Sequence, residues 1–147
     1  MGRNQLFRGV VKAVALGDGP KVRELNQQIA DADREAYAVY VAAMFAGAAG
    51  HRFEHDQSHA AITKFVNEMR DDFRRADPPF KPLVMEGLLR VLFGEDHLLD
   101  EIAPADQLRH QFLAIRKIVD QSESMQANLD QYLTDAETLA AQWLSEV

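Results

Sequence analysis

Apolar residues recur along this chain at intervals of three and four, and no run alternates convincingly between apolar and polar positions. That period belongs to helices, so the pattern predicts an all-α chain. β-branched residues are scattered rather than clustered, which removes the usual mark of strands.

The spacing predicts a first helix over about Asn4 to Leu16, with Leu6, Val10, Ala13 and Val14 on one side and Arg8 and Lys12 on another. Gly17-Asp18-Gly19-Pro20 ends it, because glycine supplies a left-handed cap and proline suits the first turn of the next helix. The second helix starts near Pro20, and its apolar spacing continues to about Ala49. As one piece it would be about 45 Å long. Asp31 and Asp33, both good N-caps, mark the place for a break. A loop over Gly50 to Gln57 follows. Ser58 caps a third helix that runs to Ala76, with Ile62, Phe65, Val66, Met69 and Phe73 turned inward. Pro78, Pro79 and Pro82 then make a stiff, extended connector.

Two stretches are apolar on nearly every side. Ala36 to Gly50 has no charged residue and is rich in Ala and Gly. Pro82 to Gly94 carries only Glu86 and Arg90, which share one side of the helix and are expected to pair. A helix that is apolar all round must be surrounded. The expectation is therefore an all-α, single-domain bundle of about six helices over residues 1–147, built around a buried central helix at 82–94. The small-residue stretch should pack directly on that helix. Beyond Gly94 the pattern predicts one or two turns over 95–102 and a helix opening at Pro104, striped by Leu108, Phe112, Ile115 and Val119. A break at 120–123 follows, capped by Ser122. The last helix runs to about Ser145, with Met125, Leu129, Tyr132, Leu133, Ala136, Leu139, Ala140 and Trp143 on one face.

Composition adds exclusions. At 147 residues one core carries the fold without staples. The absence of cysteine removes disulfides, zinc thiolates and Cys nucleophiles. No secretory signal or bilayer-spanning run is visible, and the longest uncharged stretch reads as a buried helix. The expected location is cytoplasmic, with no membrane partner. The formal net charge is −7 and is polarised: Arg3, Arg8, Lys12, Lys21 and Arg23 crowd the start, and no Lys or Arg follows Lys117. The first two helices are the nearest approach to a nucleic-acid-binding pair, but no basic recognition helix is present, so nucleic acid is not the expected partner.

The chemistry on offer is thin. His51, His55 and His59 recur every four residues, with Glu54 and Asp56 between them. On one helix the three imidazoles would share a face, and with Glu54 they would suit a divalent transition metal such as Zn, Fe or Mn. His51, Glu54, His55 and His59 are thus the candidate metal ligands, and no other cofactor is expected. Ser58 works against the ladder, because a helix starting there leaves His51 and His55 in a loop. Glu95, Asp96, Asp100, Glu101 and Asp106 around His97 read as a solvated acidic turn without the spacing of a calcium loop. No phosphate loop and no nucleophile elbow occurs. The functional expectation is a non-enzymatic interaction or regulatory module that works through helix faces, on a protein partner or a second copy. The N-terminal helix and the Trp143 helix are the expected contact surfaces. The alternative is a metal- or small-ligand-binding bundle using the His51–His59 segment.

Overall fold

α1 (Arg3–Leu16) stops where its spacing says it should: Gly17 adopts φ +74° and donates its backbone N–H to the carbonyls of Ala13 and Val14. The left-handed region suits glycine because it has no Cβ to meet the following carbonyl. The structure is a computed structural model and describes residues 2–146, so Met1 and Val147, the two ends of the single-domain reading, lie outside it. α2 (Gly19–Asn26) is capped by Asp18, whose carboxylate accepts from the Lys21 N–H at 3.2 Å. The predicted break then occurs, as a 3-10 turn at Asp31–Asp33. Arg34 braces it, donating to the Asn26 and Ile29 carbonyls.

α3 (Arg34–Arg52) continues three residues past the helix end expected at Ala49. α4 (His59–Asp72) begins where Ser58 accepts from the Ala61 N–H, as the sequence predicts, but it ends at Asp72 rather than Ala76. α5 is Pro82–Leu92, and a 3-10 turn at Asp96–Glu101 follows Gly94. α6 spans Pro104–Asp120. Ser122 caps α7 (Glu123–Ala127) by accepting from Met125 N–H. Asn128 then divides the last predicted helix, and α8 is Leu129–Ser145. Among the described residues the chain is helical with no strand, as predicted.

The helix at the centre is not the expected one. α3 has α6 on one side and α8 on another, with α1 also against it. It buries Tyr37, Tyr40, Val41, Ala43, Met44, Phe45, Ala48 and Ala49. Its alanines let neighbouring backbones approach, so more than one helix can close on it. α5 buries only Met85, Leu88 and Leu89, while Leu83 is 82% exposed. It packs against α4, α6 and the 3-10 turn. The small-residue stretch therefore meets α6 and α8 as its main partners, not α5. Eleven residues between a proline connector and Gly94 leave α5 at the margin, with helices on one side only.

Two buried side-chain polar atoms have no partner among the described residues, Arg109 Nε and the Tyr37 hydroxyl. The Tyr37 hydroxyl is enclosed without a hydrogen bond, and burial pushes the phenol well above its ordinary pKa. Tyr37→Phe is expected to raise stability by about 1 kcal/mol, because an unsatisfied buried hydroxyl is a net cost. Chemical denaturation with an unchanged slope checks this, and a loss of stability would mean the hydroxyl has a partner.

Candidate interaction face

The outer side of α5 and the 3-10 turn after it form one apolar surface. Gly87 makes their contact close: a Cβ there would lie 3.1 Å from Ile102 Cδ1. With hydrogen at that position, Ile102 seats on the helix and draws the turn across it. A shallow cleft of about 260 Å³ results, lined by Leu83, Val84 and Gly87 of α5, Leu98 of the turn, and Ile102. Leu83 at 82% and Leu99 at 39% are two of the three large apolar side chains that stand exposed among the described residues. Glu86, Arg90 and Glu101 complete the lining.

The expected Glu86–Arg90 pair does not form. Arg90 turns to Glu95 instead, donating from Nε at 2.6 Å and Nη2 at 2.7 Å. Glu95 lies beyond the helix end, where both guanidinium nitrogens can reach one carboxylate; a bidentate pair of this kind outdoes a single contact along the helix. These hydrogen bonds, helped by the charges of Arg90 and His59, draw the Glu95 carboxyl down to about 2.

The four candidate metal ligands are not gathered. His51 lies in the last turn of α3, and its ring is held between two hydroxyls: Nε2 is 3.1 Å from Ser122 Oγ and Nδ1 is 3.2 Å from Tyr132 Oη. His55 is in the loop, with its side chain 92% exposed and Glu54 as its neighbour at 3.1 Å. His59 opens α4 and faces Glu95 at 3.5 Å. The bend at Phe53 to Ser58 breaks the four-residue ladder, so each imidazole points to a different neighbour. No group of three or more His, Asp or Glu side chains that could hold a metal ion occurs among the described residues.

The basic start of the chain finds its counter-charge inside the fold. Arg8 donates to Thr134 and to the Asp130 carbonyl at 3.0 Å and pairs with Glu137 at 3.3 Å, while Lys12 reaches Asp130 at 3.1 Å. The charge polarity along the sequence thus ties α1 to α8. Those are the two helices expected as contact surfaces, and they face each other across a groove of about 110 Å³ that includes Phe7, Tyr40 and Leu144.

Three buried polar residues, His110, Gln111 and Lys117, all on α6, escaped the sequence reading. Lys117 reaches Asp72 from within the core, with Glu68 at 3.7 Å. His110 is fully buried on α6; the Lys81 backbone N–H donates to its Nε2 at 3.0 Å, and Nδ1 lies 2.8 Å from the Asp106 carbonyl. A signal for His110 existed: Ala114 and Ile118 stand four and eight residues on, both buried, so the imidazole belongs to an apolar stripe. No helix is long and apolar enough to cross a membrane among the described residues. Set against protein-family models, curated proteins and solved structures, the chain matches none of them.

Proposed function

We propose that this chain is a non-enzymatic interaction module that works through a helix face, and that the working face is the outer side of α5 with the adjoining 3-10 turn. The observation that carries the reading is Leu83, 82% exposed on a helix whose composition calls for cover on every side. Exposed leucines occur singly on most proteins and mean little. Here the leucine borders a cleft in which Val84, Leu98 and Ile102 lie beside Glu86, Arg90 and Glu101, a small apolar spot with a charged edge.

A face of this type associates weakly with itself when nothing else covers it. Sedimentation velocity over a concentration series in high salt, where the carboxylates on the rim are screened, is expected to show reversible association of the wild-type chain. Leu83→Asp is expected to abolish it. The same change should alter folding stability by no more than about 0.5 kcal/mol, since the side chain is in solvent. Association indifferent to Leu83→Asp, or a wild-type chain that neither associates in high salt nor binds a helical peptide, removes this face as the working surface.

A further inference from the structure

We infer that the occupant of the α5 face is a basic amphipathic helix of a partner protein, an assignment that rests on the reading just given. The backbone decides the shape of the ligand. Beyond its first turn, the N–H groups of α5 are bonded to carbonyls of the helix itself, and no strand edge occurs among the described residues. An extended peptide would find no ladder to join and would leave its own backbone unpaired. A helix arrives with its backbone already satisfied and needs only an apolar stripe, which the floor of Val84, Gly87, Leu98 and Ile102 accepts.

Charge decides the rest. Glu86 and Glu101 line the cleft and have no ion pair among the described residues; nor do Asp96 and Asp100 on the same turn. The one cation in the lining, Arg90, is committed to Glu95 by two hydrogen bonds. The rim is therefore negative, on a chain whose formal net charge is −7. A second copy docked on the same face would set these carboxylates against one another. Arg8 and Lys12 of this chain's first helix are already paired with α8. A partner helix with leucines along one face and lysines or arginines beside them matches both floor and rim, and like-charge repulsion excludes acidic helices.

The two proposals differ in the sign of their salt dependence. Association of two acidic faces strengthens as salt rises, and binding of a basic helix weakens. The test uses the full chain and synthetic peptides of about 18 residues, roughly five helical turns, with leucines on one face and flanking positions filled by Lys, Gln or Glu. Fluorescence anisotropy at low and high salt is expected to rank them Lys over Gln over Glu, with the Lys peptide weakened by salt. Leu83→Asp should abolish its binding. The double variant Glu86→Gln, Glu101→Gln should bind it about three- to tenfold more weakly at low salt and with a flatter salt response. Peptides that bind alike whatever their charge, or a Lys peptide that binds Leu83→Asp unchanged, would overturn the assignment. If no peptide binds while the chain associates with itself through Leu83, the face stands and its occupant is a second copy. If neither occurs, both readings fall.

Discussion

Phe65→Ala is expected to destabilise the chain by about 3–5 kcal/mol, the range for emptying a fully enclosed aromatic site. Phe65 has no exposed surface and holds α4 to the body of the fold. Its ring meets Phe53, just past the end of α3, edge to face at 5.4 Å. Phe53 in turn meets Phe93, just past the end of α5, at 5.6 Å. The Arg52 guanidinium lies 5.3 Å from the Phe65 ring centre and the Lys117 ammonium 6.0 Å. Removing the ring therefore leaves a cavity and takes away the aromatic surface beside a buried ammonium. Phe65→Leu keeps most of the volume and should cost less; both variants lose the aromatic contact with Phe53, worth about 0.5–1.5 kcal/mol, so the cavity makes the difference between them. Urea denaturation of both variants checks the order. Phe65→Ala within about 1 kcal/mol of wild type would mean the site collapses around the gap and the cluster does not secure α4. Should the alanine variant fail to fold, Phe65→Leu still carries the comparison.

His110→Ala is expected to be the next most costly change, and it should also remove a pH dependence. The Lys81 N–H can only donate, so Nε2 of His110 must be the bare nitrogen, and the proton sits on Nδ1, directed at the Asp106 carbonyl. Phe80 covers the ring at 5.3 Å. Truncation orphans a part-buried backbone N–H, worth about 1–3 kcal/mol, and the emptied ring space adds to that. Protonation would set a second N–H against the Lys81 donor inside the core. Burial is the main cause that lowers the His110 pKa below its ordinary value; the Asp106 carbonyl and carboxylate pull the other way, and Arg109 and Lys81 add to the lowering. The unfolded chain then binds the proton more readily than the folded one. Stability is full above the unfolded histidine value of about 6.5 and is lost as pH falls from there toward the folded value, at up to about 1.4 kcal/mol per pH unit. His110→Gln keeps an acceptor for Lys81 without a titratable ring, so it should retain more stability than His110→Ala and show a shallower decline between pH 7 and 5. A decline of equal slope in His110→Gln would place the titration on another group.

Much of the fold was legible in short-range signals. Gly17, Pro20, Ser58 and Ser122 all punctuate helices where the sequence reading put them. Each works within one turn of its own position, so no distant partner is needed to predict it. The break near Asp31 and Asp33 also occurs where expected, but not through the expected caps: neither carboxylate caps a helix, and that of Asp33 pairs with Arg3. The division of the last helix at Asn128 was not legible, because the apolar stripe runs through it from Met125 to Leu129 without losing phase.

The candidate site was half visible. That Pro82 to Leu92 is too apolar to stand alone is a matter of composition. That its inner side meets α4 and α6 while Leu83 is left in solvent depends on which helices lie beside it. The histidine ladder carried its own warning in Ser58. Regular spacing gathers side chains only while one helix persists, and the bend after Arg52 sends His51, His55 and His59 to different neighbours.

The sequence by itself determined the class and the punctuation of this protein: helices throughout, most of their starts and stops, and two segments too apolar to be left bare. Period, caps and breakers act between residues a few positions apart, and the chain writes those down directly. Only the tertiary structure decided which helix is enclosed, that Arg90 turns to Glu95, that Arg8 and Lys12 turn to α8, and that His110 and Lys117 are buried. Those outcomes turn on contacts between segments far apart along the chain, where several partners satisfy the same local pattern and packing selects among them.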